Sequence, residues 1–152
     1  MTSRREMLAR SASVAAALAG LGLLPTAARA DWSQAAFDAK TMADLTKALG
    51  VAMPAESKDV TITGPDIAEN GAVVPVGAAT TLPNAKRLLL LVEKNPSMLA
   101  AAFDLSDAVE ANLSTRVKMG QSSNVIAVAI TADNKVFFAQ KEIKVTLGGC
   151  GG

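Results

Sequence analysis

From Pro54 onward the chain repeats one grammar. Short segments rich in Val, Ile and Leu are separated by turn signals every 8 to 15 residues, roughly the spacing of an all-β domain. Val60-Thr61-Ile62-Thr63 alternates and stops at Gly64-Pro65. Glu69-Asn70-Gly71 predicts a hairpin, because Asn-Gly tolerates the positive φ angles of a tight turn, and it leads into Ala72-Val73-Val74-Pro75-Val76. Arg87 to Glu93 is apolar on both faces, which predicts a central strand, and Asn95-Pro96 ends it. Met98 to Leu105 suits a strand or, through Ala100-Ala101-Ala102, a helical turn. Thr115 to Met119 alternates, and Val125 to Thr131 puts Ile126, Val128 and Ile130 on one face. After an Asp133-Asn134 turn, Val136 to Thr146 sets Ile143 and Val145 against Lys144 and Thr146. About seven strands of this kind predict a mainly β fold, an immunoglobulin-like antiparallel β-sandwich over residues 51–147. An open barrel is the alternative.

Upstream of the strands the period changes. From Trp32 to Leu49 the pattern is helical: Phe37, Leu45 and Leu49 share a face, with Met42 beside them. Thr41-x-x-Asp44 resembles a capping box, so a break near Thr41 is expected, and Gly50 is a C-terminal stop. Residues 31–50 therefore form a short N-terminal helical segment, packed on the edge of the domain.

The first thirty residues have the features of an export signal. Ser3-Arg4-Arg5-Glu6-Met7-Leu8 fits the twin-arginine pattern, an uncharged stretch runs from Ser11 to Ala28, and Ala28-Arg29-Ala30 is a small-x-small cleavage site. An uncleaved anchor or a mitochondrial presequence fits less well. Cleavage after Ala30 leaves a chain of about 120 residues, which suits one compact domain, with eleven basic against thirteen acidic residues. A periplasmic location with no membrane residence follows, since no later apolar run approaches the ~20 residues of a spanning helix. Twin-arginine export carries folded proteins, so assembly with a partner before export is one reason to use it.

Composition removes whole classes of chemistry. The net charge of the full chain is +1, without the basic excess of a nucleic-acid binder. There is no His and one Cys. A Ser-His-Asp triad, a Cys-His dyad, a His-bearing zinc site and an intrachain disulfide are all impossible within this chain. No cofactor or metal site is expected. Met42, Met53, Met98 and Met119 lack an accompanying His and are expected in the core rather than on copper. Asn112-Leu113-Ser114 fits a glycosylation pattern that carries no information in an exported bacterial protein.

The one thiol stands at the extreme C-terminus, in Gly148-Gly149-Cys150-Gly151-Gly152. Free Cys is usually buried; four glycines cannot pack a core around this one. Residues 148–152 predict a flexible arm, extending to roughly 17 Å, that presents Cys150 to other proteins rather than reacting in place, where preorganised geometry is required. No Lys or Arg adjoins Cys150, so nothing adjacent favours the thiolate over a thiol of ordinary pKa, about 8.5. A thiol redox protein would normally have a resolving Cys or a basic neighbour. A purely structural adaptor would leave Cys150 dispensable. Lys141 and Lys144 could attract an anionic group on the arm, though a solvated strand face is the simpler expectation.

The terminal pentapeptide resembles the swinging arm of the SoxY family, the carrier subunits of thiosulfate oxidation. Ala68-Glu69-Asn70-Gly71-Ala72-Val73-Val74-Pro75-Val76, Glu93-Lys94-Asn95-Pro96, Thr115 to Met119 and Lys141 to Leu147 are also similar to that family. The resemblance implies a non-enzymatic sulfur carrier. Cys150 would hold thiosulfate-derived groups covalently, with Gly148, Gly149, Gly151 and Gly152 giving clearance. It implies a heterodimer with a SoxZ-like subunit. SoxAX, a c-type haem enzyme, would load the thiol, SoxB would release sulfate, and SoxCD, where present, would oxidise the remaining sulfur. When oxidised, a homodimer bridged through Cys150 is expected.

Overall fold

A computed structural model describes residues 4–20 and 33–146. These fall in two units, each taken by itself. The first holds one helix, α1 (Arg4–Gly20), with Arg4 and Arg5 both exposed on its first turn. Among the described residues no helix is long and apolar enough to cross a membrane.

The second unit begins with two helices, α2 (Gln34–Asp38) and α3 (Met42–Leu49). They are separate because each carries its own N-cap. The Ser33 hydroxyl accepts from the Ala36 N–H, and the Thr41 hydroxyl accepts from the Asp44 N–H at 3.1 Å, the capping-box break expected at Thr41. Gly50 closes α3 in the left-handed region at φ 67°, which glycine adopts without a Cβ clash.

Nine strands follow: β1 (Ala55–Glu56), β2 (Val60–Thr63), β3 (Ile67–Ala68), β4 (Val74–Thr80), β5 (Ala85–Val92), β6 (Leu99–Asp104), β7 (Asn112–Val117), β8 (Ser123–Thr131) and β9 (Val136–Val145). The larger sheet runs β1-β9-β8-β5-β6, with β3 also on β9; the smaller runs β2-β4-β7. The expected sandwich is present. The count exceeds seven because β1 and β3, two residues each, add parallel to β9 and are too short to show alternation. The ambiguous segment at Ala100 to Ala102 is strand β6, paired antiparallel with β5.

Two expectations about the course of the chain are corrected. Asn70-Gly71 does not turn a hairpin: β3 belongs with β9 and β4 with the other sheet, so the segment crosses between sheets. Neither residue has positive φ; instead the Asn70 carboxamide oxygen accepts from the Ala72 N–H at 2.9 Å. The helical segment covers a sheet face, not an edge. Ala36, Ala39 and Leu45 pack with Leu89, Leu91, Ile126, Val128 and Ile130 from the outer face of the larger sheet.

That cover explains the doubly apolar strand. Successive side chains of β5 point to opposite faces. Leu88, Leu90 and Val92 join Val125, Ala127 and Ile143 in the core between the sheets, against Val74, Val76 and Val117. Leu89 and Leu91 meet the helices. Burial of each such side chain stabilises the fold by about 1.5–3 kcal/mol. Met98 and Met119 are in the core as expected, but Met53 is exposed, its sulfur accepting only from the Thr46 hydroxyl.

Candidate functional site

The strand directions gather one set of loops at the end where β9 finishes. Val145 ends β9 beside the start of β8, whose Ser123 pairs with Ile143. The end of β5 and the start of β6 are at the same end, since Val92 pairs with Val125 and its N–H donates to Met98 O. The β3–β4 crossover and the β7–β8 loop join them, through a Met119 N–H bond to Gly71 O at 2.7 Å. Asn95 ties two of these loops together. Its amide donates to Lys118 O at 2.6 Å, and its carbonyl accepts from the Gly120 N–H.

At this end β9 is held on both flanks. The Ser122 hydroxyl accepts from the Val145 N–H at 2.9 Å and donates to Val145 O at 3.5 Å. On the other side Ala68 pairs with Val145, the Thr146 N–H donates to Ala68 O at 3.1 Å, and the Thr146 hydroxyl donates to Glu69 O. Cys150, Gly148, Gly149, Gly151 and Gly152 lie outside the described residues, and so does Leu147. What the structure shows of the predicted arm is therefore its attachment.

The charged groups divide between the two ends. At the far end Lys86 pairs with Asp107, Arg87 with Asp104, and Lys135 with Asp133. At the arm end Lys94 and Lys118 are exposed and form no ion pair among the described residues. The Lys40 ammonium donates to Pro96 O beside them. Lys141 is engaged with Asp66 at 2.8 Å and holds that carboxyl below its usual range, while Lys144 lies on the solvated face of the strand. Lys144 meets the simpler expectation; Lys141 does not, since it is partly buried on the opposite, Ile143 side of β9 and paired with Asp66.

Among the described residues no cluster of three acidic or thiol side chains is placed to hold a metal. A shallow groove of about 380 Å³ on the outer face of the smaller sheet is lined by Thr63, Pro65, Pro75, Gly77 and Ser114 and contains no titratable group. Sequence reasoning overlooked Ser122, and read Asn95 only as a strand stop and part of a family segment; the bonds both make are visible only once distant loops meet. The one available signal was the turn-rich run Gly120-Gln121-Ser122-Ser123 just before β8.

The class of protein is thus a helix-covered, immunoglobulin-like sandwich whose last strand is pinned at its end and runs on into a tail carrying the chain's single thiol. The profile of the family described as sulfur oxidation protein SoxY matches residues 45–150. The sulfur carrier protein SoxY from Chlorobium limicola f thiosulfatophilum is similar in structure, with 32% identity, a TM-score of 0.61, and coverage of 72% of this chain and all of that one. The chain belongs to the SoxY family. A point variant of a superoxide reductase (neelaredoxin) from Ignicoccus hospitalis is similar in fold alone, at 20% identity and a TM-score of 0.52 over 60% of this chain and 82% of that one. No curated protein matches.

Proposed function

We propose that this chain is a periplasmic sulfur carrier that binds thiosulfate-derived groups covalently on Cys150 and presents them to the enzymes of the Sox system. The observation that carries this is the family match, which runs through the sandwich and ends on Cys150 itself. The anchored end of β9 and the absence of His from the chain support a role in presentation rather than catalysis. The carrier named SoxY from Chlorobium, similar over its whole length, supports the same function.

The chemistry balances with partner enzymes. Loading joins the Cys150 sulfur to the outer sulfur of thiosulfate. The thiol proton is released, and two electrons pass to a haem-bearing partner of the SoxAX kind. Hydrolysis by a SoxB-like partner then places water oxygen on the terminal sulfone, releases sulfate, and leaves a persulfide on Cys150. SoxCD, where present, oxidises that sulfur further. A SoxZ-like subunit pairs with this chain, and the twin-arginine signal with Arg4 and Arg5 exports the folded pair. Gly148, Gly149, Gly151 and Gly152 let the tether enter narrow sites without side-chain bulk.

An intact-mass spectrum of the protein isolated from thiosulfate-oxidising cells tests this. The expected result is a sulfur-containing mass increase on Cys150 that a reductant removes. Turnover of thiosulfate by this chain alone would instead mark a thiol redox protein. An unmodified Cys150 throughout active turnover would mark a structural adaptor.

A further inference from the structure

We infer that Ser122 sets the working length of the C-terminal arm. The β8–β9 ladder has its last backbone pair at Ser123 and Ile143. Beyond it a hydrogen-bonded strand pair would exchange both an N–H and a C=O bond. The Ser122 hydroxyl takes the place of that missing backbone, accepting from the N–H of Val145 and donating to its C=O. On the opposite flank Ile67 of β3 pairs with Lys144 and Ala68 with Val145, and the Thr146 N–H donates to Ala68 O. The strand is thus held on both flanks at Val145, and on the β3 flank through Thr146.

The consequence is a matter of reach. Four residue steps separate Thr146 from Cys150, about 13–14 Å when extended. Releasing Lys144, Val145 and Thr146 adds three steps, about 10 Å more. The end of a terminal strand lies near the bottom of the local stability scale, so the Ser122 bonds, added to those of β3, weigh on how much of the time those residues stay in the sheet. A longer tether dilutes the thiol at a partner's site, because effective concentration falls with tether length. Ser122 is a positioning residue in this scheme. The inference rests on the carrier function of Cys150 for its meaning, but not for its test.

Amide hydrogen exchange in the full chain supplies the first readout. Ser122→Ala should speed exchange at Val145 by roughly two- to tenfold, through loss of the bond that protects its N–H. Exchange at Leu90 and Val125 should not change, and Ser122→Thr, which keeps the hydroxyl, should restore protection. A nitroxide attached to Cys150 gives the second readout. In Ser122→Ala its line broadening should extend from the arm-end loops toward the middle of the sandwich. Unchanged exchange at Val145 in a folded Ser122→Ala variant overturns the inference. Equal acceleration at Val125, or an unchanged broadening pattern, overturns it too, since either shows that Ser122 does not act on the arm. Failure of Cys150 to take up sulfur in the unaltered chain would overturn the carrier function and leave both readouts standing.

Discussion

Asp133 and Asn134 turn β8 into β9, and the chemistry of that turn is local. Asn134 takes positive φ, 60°, which Asn tolerates. The Lys135 ammonium, 2.8 Å away, and the Thr131 hydroxyl hold the Asp133 carboxyl at about 2. Its folded pKa lies below its unfolded value, so the contribution is complete above pH ~4 and is lost as the pH falls toward ~2. Asp133→Asn should therefore lower the urea midpoint at neutral pH and let the two proteins converge as the pH falls toward ~2, flattening the acid decline. An identical acid decline in the variant would contradict the assignment. This turn was readable from the dipeptide because its partners are neighbours in sequence. Asn70-Gly71 was misread because the same dipeptide signal says nothing about which strand comes next: β3 is drawn to β9, nearly eighty residues away. Ser122 and the loop-bridging bonds of Asn95 went unread for the same reason, since their acceptors and donors lie more than twenty residues away.

Among the elements, β4 is the most constrained. Pro75 lies beyond the last β2 pair, Thr63 with Gly77, at a point where β4 has one neighbour and can dispense with an N–H. At Gly77 a Cβ would come within 2.5 Å of the Thr63 hydroxyl and 3.2 Å of Leu113 O, so all three strands of the smaller sheet approach over a glycine. Gly77→Val should cost about 1–3 kcal/mol through this overpacking, read as a lower urea midpoint with an unchanged slope; an unchanged midpoint would contradict the close approach. Strand existence was legible where alternation or a doubly apolar run was long enough, as in β5 and β8. The helices were legible too, with the caps at Thr41 and Gly50 but not the one at Ser33, and their place was not. Only the outward-facing set Leu89, Leu91, Ile126, Val128 and Ile130 reveals that a sheet face awaits cover. For α1, the paired arginines give the element its own prediction. Arg4→Lys with Arg5→Lys should leave the precursor in the cytoplasm, measured by fractionation; normal export of the double variant would remove the twin-arginine assignment.

At the scale of the molecule, the sandwich and the tail answer different questions. The sandwich was legible as a fold class, and it is shared with proteins of unrelated activity such as the neelaredoxin; function resides in the site and not in the fold. The tail, a lone thiol among four glycines, lies outside the described residues, and the anchorage of β9 before it was not legible, because that depends on loops brought together only by folding. As a whole, the chain should purify as a one-to-one complex with a SoxZ-like subunit that survives reduction, since its single Cys lies in the tail. Oxidation should add a Cys150-bridged homodimer that a reductant reverses, seen by non-reducing electrophoresis. A heterodimer that falls apart on reduction would contradict this arrangement. The most direct test of sulfur carriage is Cys150→Ser in a system reconstituted with the partner enzymes. Sulfate release from thiosulfate should vanish while the fold and the heterodimer persist. Sulfate release at the unaltered rate would contradict carriage on this chain, because no other residue in it can form a sulfur–sulfur bond.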